Sequence, residues 1–278
     1  IEPLKRQHRS YDALVFFSLY HATTVSGLAV VPERSVLFPY LRLDPPLRFG
    51  IWSEIFESVR AVGYLSAAER TLARRFLRLS LPDEVVGLGI EPLAEQAYPR
   101  HQQDPADDMS DVDDQTEASP EADTTQHYLA GRGIPFRRRH RLYGSFVLYG
   151  GRVQPDNGCE EMLDYFDSYA AADGDTALVL MGPKLMKIPE QTYLRLAGIL
   201  PERERMIAYE AADVTLAPES DDLAATTVLE SFAVGTPVLA NARNDAAVDY
   251  CRRANAGLYY ASRDEFTDTL RLLMTDPR

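Results

Sequence analysis

Apolar runs that read as strands alternate with helix-like segments along most of the 278-residue chain, which predicts an α/β protein built from doubly wound parallel sheets. Two observations refine this. Helical patterns separate consecutive strands, so the strands must pair in parallel through crossovers. A long acidic stretch interrupts the alternation once and divides the chain into two units. The expected layout is a partial first domain over residues 1–98, an acidic insert and linker over 99–144, and a Rossmann-like domain over 145–278.

In the first unit, residues 12–17 read as a buried strand, 22–28 as a short helix and 35–38 as a second strand closed by Pro39. After Pro45 and Pro46 come a helical pattern over 49–59 and a third strand over 61–65. Ser66-Ala67-Ala68-Glu69 has the spacing of a capping box, so a helix is expected from Ser66 to about Arg78. Residues 85–90 give a last short strand.

Between 99 and 127 the acidic residues Asp104, Asp107, Asp108, Asp111, Asp113, Asp114, Glu117, Glu121 and Asp123 occur with no Lys or Arg beyond Arg100, the mark of a disordered insert. Asp111-Val112-Asp113 imitates a metal-holding carboxylate pair. An unstructured tract cannot preorganise such a site, so no metal is expected.

From residue 145 the alternation is regular. Strands are expected over 145–151, 176–182, 193–198, 214–217, 237–240 and 257–260, with helices over 159–169, 201–211, 223–234, 246–254 and 263–274. Doubly wound sheets bind ligands where strands end and the next helices begin, which points to the loops at 150–158, 181–187 and 218–223.

Bulk properties exclude several classes. A net charge of -13 argues against nucleic-acid binding, which needs a basic footprint; the only dense basic stretch is Arg137, Arg138, Arg139 and Arg141, which reads as a solvated face. Cys159 and Cys251 have no metal-type spacing and form no disulfide framework, so a cytoplasmic location is the expectation. No apolar run approaches the roughly 20 residues of a membrane span, which leaves peripheral membrane contact open. A chain that opens at Ile1 and stops at Arg278 just after a helical pattern reads as truncated at both ends.

The loops carry the chemistry. Gly150-Gly151-Arg152 ends the leading strand of the second unit, where small residues let backbone approach a ligand and the arginine can bond phosphate oxygens. Lys184, in Gly182-Pro183-Lys184, is a second candidate cation. The segment from Pro218 to Leu239 contains Asp222 and Glu230, eight positions apart, followed by Gly235-Thr236-Pro237-Val238. On a continuous helix eight positions span about 12 Å.

Here the sequence resembles glycosyltransferase family 4, whose signature pairs two acidic residues in this way ahead of Gly-x-Pro-Val. The resemblance extends to the segments 146–152 and 251–260, and more weakly to Val36-Leu37-Phe38-Pro39, Pro45-Pro46-Leu47-Arg48-Phe49 and residues 66–70. It implies a GT-B fold, two Rossmann-like domains facing a cleft with the N-terminal one incomplete. It implies a metal-independent, retaining transfer of a hexose from a nucleotide-sugar such as a UDP- or GDP-hexose to a glycan or lipid-linked acceptor, with no other cofactor. By position, Glu230 would hold the ribose hydroxyls and Asp222 those of the transferred sugar. Arg152 would neutralise the diphosphate, with Asp222 and Arg152 as the catalytic pair. Gly151, Lys184 and Leu223 would complete the donor site, the helix starting near Leu223 aiming its free amides at the phosphates.

Departures are equally visible. Asn157 stands where family members place a second phosphate cation, Asp222 where Glu is usual, and Leu223 where a small residue is common. Arg42-Leu43-Asp44 replaces a His-Asp-Glu-like segment, and His21 at the start of a helix is the best-placed substitute for its histidine. These favour a rival, a catalytically degenerate member acting as a partner in a glycan-synthesis complex. A second rival is an epimerase of the same architecture.

Overall fold

A computed structural model describes residues 1–43, 45–77, 80–91, 133–173 and 175–275. Asp44, Arg78 and the Asp111-Val112-Asp113 tract lie outside the described residues, as does the rest of the acidic stretch. The described residues fall into two compact units. One comprises Ile1–Gly89, Glu219–Thr226 and Asn241–Ala254; the other comprises Ile90–Pro218, Thr227–Ala240 and Asn255–Arg278.

After α1 (Glu2–Gln7), the first unit runs β1 (Leu14–Phe17), α2 (Ala22–Leu28), β2 (Ser35–Phe38), α3 (Ile51–Ser58), β3 (Ala61–Tyr64), α4 (Ala67–Phe76) and β4 (Asp83–Val85). The strands form a parallel sheet in the order β1-β2-β3-β4. Leu37, Val62 and Tyr64 from the sheet pack with Trp52, Ile55 and Phe56 of α3. Ser66 Oγ accepts from Glu69 N at 3.0 Å, as the capping spacing predicts. The Glu69 carboxylate goes elsewhere: it accepts from Leu41 N at 2.8 Å and Leu65 N at 2.7 Å, tying together the loops that follow β2 and β3.

Two strands differ from expectation. β1 is not a buried strand: Val15 is 53% and Phe17 63% exposed, because only the face carrying Leu14 and Phe16 is covered by described residues. The last strand begins at Asp83 rather than 85. Its register, Val62 with Asp83 to Tyr64 with Val85, is pinned by Arg70 and Arg74 on Asp83, and the positive φ of Gly87 turns the chain out of the sheet. Polar anchoring rather than apolar periodicity sets this edge.

The second unit opens with α5 (Ile134–His140), within what the sequence presented as linker. Phe136 and Leu142 bury into a core with Phe146 and Met206, and Arg137 is buried too, donating to Gly144 O at 2.8 Å and Ala211 O at 2.6 Å. Part of the basic run is thus internal. A residue whose guanidinium closes carbonyls and stacks on Phe146 looks from sequence like a solvated charge. The second-unit order continues β5 (Phe146–Gly150), α6 (Cys159–Asp173), β6 (Ala177–Met181), β7 (Leu194–Gly198), α7 (Glu202–Ala211), β8 (Val214–Ala217), α8 (Thr226–Ala233), β9 (Val238–Asn241), β10 (Gly257–Tyr260) and α10 (Arg263–Thr275). The helix Asp245–Ala254, α9, clusters with the first unit, where Tyr250 Oη donates to Leu65 O at 3.1 Å.

The six strands run β10-β9-β8-β5-β6-β7. All residues of β5 and β8 are buried, as expected of central strands covered on both faces. The chain starts in the middle at β5, winds out to β7, then returns to β8 on the other side. β5 and β8 are therefore the topological switch point, and their carboxyl ends are where this architecture opens a crevice. No described helix is long and apolar enough to cross a membrane.

Candidate functional site

At the end of β5 the backbone is crowded. A Cβ on Gly150 would overlap Tyr209 Oη and lie 2.7 Å from Tyr209 Cζ and 3.0 Å from Met181 Cε. Gly182, at φ +133°, would place one against Gly151 O, with Gly151 C at 2.8 Å. Gly151 N donates to Met181 O at 2.9 Å. The glycines let β5, β6 and the phenol of Tyr209 meet at one point.

Arg152 follows directly. Its carbonyl accepts from Tyr149 Oη at 2.9 Å and from Cys159 Sγ at 3.7 Å, so its backbone is fixed while its side chain stays exposed. Lys184 is brought alongside: Val153 N donates to Pro183 O and Leu185 N to Val153 O, each at 2.9 Å, in a parallel bridge between Val153 and Lys184. Its side chain is exposed as well. Asn157 ends a 3-10 turn, Pro155–Asn157, before Gly158 at φ +73°. Its Oδ1 accepts from Gln154 Nε2 at 3.0 Å and its Nδ2 donates to Tyr149 Oη at 3.4 Å, so the residue replacing a cation braces the loop that carries Arg152.

Glu230 lies in the second turn of α8, 8% exposed. Packing fixes that helix: Val228 is buried, and Ser231 Oγ donates to Thr236 O and shares a hydrogen bond with Thr215 Oγ1, at 2.8 Å each. Thr227 Oγ1 donates to Gly150 O at 2.9 Å, bringing the start of α8 onto the end of β5. The Glu230 carboxylate accepts from Arg205 Nη2 at 2.6 Å and from Tyr209. Burial pushes its carboxyl above the usual range. The Arg205 charge and the hydrogen bonds from Arg205 and Tyr209 pull it back, and Glu202 adds a small upward push. Tyr209 therefore joins Glu230 to Gly150, two residues from Arg152.

The predicted helix over 223–234 begins only at Thr226. Asp222 Oδ1 accepts from Ala224 N at 3.1 Å, and Ala225 takes a left-handed φ of +46°, which no helix continues. The distance from Asp222 to Glu230 is thus not a helical rise. Asp222 and Leu223 belong to the segment that clusters with the first unit, where Leu223 packs on the core of Trp52 and Leu72. Asn244 Nδ2 donates to the carbonyls of Glu219 and Asp222 at 3.0 and 3.1 Å. In the same unit Arg42 Nη2 donates to Asp221 Oδ2 at 2.8 Å. His21 occupies the N-cap of α2, exposed and making no capping hydrogen bond.

Sequence reasoning missed four residues. Arg205 and Tyr209 sit four apart on α7, on one helix face, a spacing that could have signalled a joint role. Glu69 is 1% exposed, its carboxyl pushed up by burial and drawn down by the amides of Leu65, Leu41 and Tyr40. Tyr40, at φ +55°, has its phenol pushed up by burial and then by the Asp222 charge, while a hydrogen bond with Thr226 opposes this. Among the described residues no group of three or more His, Cys, Asp or Glu could hold a metal ion.

Known proteins bear on this arrangement in three ways. Sequence comparison with curated proteins finds no match. Among solved structures the chain is similar to Anabaena Alr3699/HepE, in complex with UDP and glucose, with TM-score 0.69 and 13% identity over 99% of this chain and 71% of that one. It is similar to sucrose-phosphate synthase from Thermosynechococcus elongatus, TM-score 0.65, 13% identity, 99% and 68%. It is similar also to the α,α-trehalose 6-phosphate synthase of Burkholderia multivorans, TM-score 0.64, 12% identity, 99% and 67%. At such identities the likeness concerns the fold, an α/β fold of GT-B type built on parallel sheets. The family model for glycosyl transferases group 1 matches residues 135–278, more than half of the chain, and the protein belongs to that family.

Proposed function

We propose that the chain is a nucleotide-sugar-dependent hexosyltransferase of family 4, acting without a metal and with retention on a glycan or lipid-linked acceptor at the cytoplasmic side. One observation carries this reading: Tyr209 joins the Glu230 carboxylate to the Gly150 turn that presents Arg152, at the carboxyl ends of the two switch-point strands. An acceptor-only carboxylate suits ribose hydroxyls, and an exposed arginine on a braced loop suits a diphosphate. Arg152, aided by Lys184 beside it and the amides at the start of α8, would stabilise the charge gathering on the leaving diphosphate. Asp222 would accept from hydroxyls of the transferred sugar, with Gly151 and Leu223 lining the donor. The bond from the sugar's anomeric carbon to the diphosphate oxygen breaks, that carbon bonds to an acceptor hydroxyl oxygen, and the hydroxyl proton is released. Sugar-nucleotide chemistry in the structural neighbours, one in complex with UDP and glucose and others named as sucrose-phosphate and trehalose 6-phosphate synthases, supports the substrate class. The buried free thiols Cys159 and Cys251 suit a reducing compartment.

A second reading, a partner protein that binds nucleotide without turning it over, is favoured by Asn157 bracing a loop where a cation would stand and by Arg42 paired to Asp221. Calorimetric titration with UDP, GDP and ADP, followed by assay of sugar-nucleotide hydrolysis and transfer, decides. Binding with turnover supports the enzyme, binding alone supports the partner, and no binding of any diphosphate refutes both.

A further inference from the structure

Arg205 stands one helical turn before Tyr209 on α7, and the two side chains reach the same carboxylate. This ion pair is unlike its neighbour on the same helix. The side chains of Arg205 and Glu230 are 35% and 10% exposed, whereas those of Arg139 and Glu204 are 60% and 43% exposed. Exposed pairs exchange freely with water and hold little geometry, while a shielded, short, charge-assisted bond fixes the orientation of both groups. The guanidinium is also incompletely satisfied: Arg205 Nε is buried with no acceptor among the described residues. A pair selected for stability alone would close that donor, since an unmet buried N–H costs more than a typical hydrogen bond returns.

Two consequences follow for the carboxylate. Bound to Arg205 and Tyr209, it has no freedom to rotate toward solvent. Its charge is also balanced locally, so an anionic ligand arriving at the Arg152 loop meets a neutral pair rather than a bare negative charge. We propose that Arg205 is a positioning residue for nucleotide recognition, holding the Glu230 carboxylate in the orientation in which it accepts hydrogen bonds from the vicinal hydroxyls of a ribose. This rests on the reading of Glu230 as the ribose ligand, and adds to it a residue on another element that makes the reading work. Arg205 acts through Glu230 and need not touch the nucleotide.

The signature is discrimination between ribose and deoxyribose, which a merely structural role would not move. Calorimetry compares UDP with 2′-deoxy-UDP, and likewise the guanosine and adenosine pairs, on the full chain and on Glu230→Gln, Arg205→Met and Arg205→Gln. The wild type is expected to prefer the ribonucleotide about tenfold or more, the range of a hydrogen bond to a charged group. Both Arg205 variants should bring that preference below about threefold with deoxynucleotide affinity unchanged, measured well below melting transitions that fall because a buried carboxylate loses its partner. Arg205→Gln keeps a polar terminus and decides the matter if Arg205→Met does not melt cooperatively. A wild-type preference retained without Arg205 overturns the proposal while leaving Glu230 in place, and so does tighter ribonucleotide binding, which would mean that the arginine blocks the carboxylate. A preference retained in Glu230→Gln, or no binding by the wild type, overturns the underlying reading as well.

Discussion

The contact between Gly150 and Tyr209 is the joint on which the candidate site depends, and Gly150→Ala tests it directly. The added methyl would lie 2.7 Å from Tyr209 Cζ and 3.0 Å from Met181 Cε, with Oη nearer still. Carbon atoms normally pack at about 3.5–4.0 Å, so the phenol must yield by roughly 1 Å. It has nowhere to go easily: Tyr209 is 1% exposed within the core of Phe146, Met181 and Met206, and its carbonyl is held by Thr236 Oγ1 at 2.7 Å. Overpacking of this kind costs about 1–3 kcal/mol, and displacing the hydroxyl from a charged carboxylate adds about 1.5–3 kcal/mol. A total of about 2.5–6 kcal/mol corresponds to a fall of roughly 10 °C in the melting transition followed by circular dichroism. Tyr209→Phe removes the atom nearest to the new methyl. In the Gly150→Ala background it should therefore recover stability, giving a coupling of at least about 1 kcal/mol in a double-mutant cycle. A Gly150→Ala protein within about 0.5 kcal/mol of wild type, or strict additivity with Tyr209→Phe, would refute the reasoning.

Other outcomes follow from the same geometry. Arg152→Ala should leave stability within about 0.5 kcal/mol, because its side chain is exposed, but weaken nucleoside diphosphate binding at least about tenfold while hardly affecting the nucleoside, as read by calorimetry. Since burial raises the Glu230 carboxyl above its ordinary 4.5, nucleotide affinity should fall on acidification at a pH above that value; in Arg205→Met, which removes a lowering influence, the midpoint should move higher still. Asp83, drawn below its ordinary 3.8 first by its bond to Arg70 and then by Arg74, contributes stability that is present above 3.8 and disappears as pH falls through its lowered value. Urea unfolding of Asp83→Asn should show a deficit at pH 7 that closes only below 3.8. Cys251, its thiol pushed up to about 12 by burial, should resist alkylation at pH 8 in the folded protein and react at once in urea.

What the sequence made legible and what it hid divide along one physical line. Strands β5 and β6 are covered on both faces and so appear as unbroken apolar runs, β8 nearly so with Thr215 inside it, and the pattern alone locates these strands. Glu230 and Arg152 could be singled out as candidates because register-fixing residues surround them: Gly235 at φ +79° and Pro237 on one side, the Gly150 turn on the other. The pattern fails where polar atoms rather than apolar surface decide the conformation. Asp222 stops the helix it was expected to start by taking an amide two residues on. Glu69 leaves its capping box to hold two loops, and Arg137 turns inward to close carbonyls. Each is a side-chain to backbone bond outside a fixed local motif such as the Ser66 cap, and so leaves no periodicity to read.

The same distinction separates the candidate residues of the second unit from Asp222. The part built on the second-unit sheet is rigid by packing: Gly150, Tyr209, Thr227, Glu230 and Ser231 are interlocked through buried contacts. Asp222 is held differently, by Asn244 at its carbonyl and by its own turn, beside an Arg42–Asp221 pair whose side chains are about one third exposed. An exposed pair of that kind contributes about 0–1 kcal/mol, so the segment is held mainly by Asn244 and by Leu223 packed on the core of its own unit. On the proposed roles, with Asp222 toward the transferred sugar and Glu230 toward the ribose, substitutions at Asp222 should act mainly on turnover, and those at Glu230 and Arg205 mainly on nucleotide affinity.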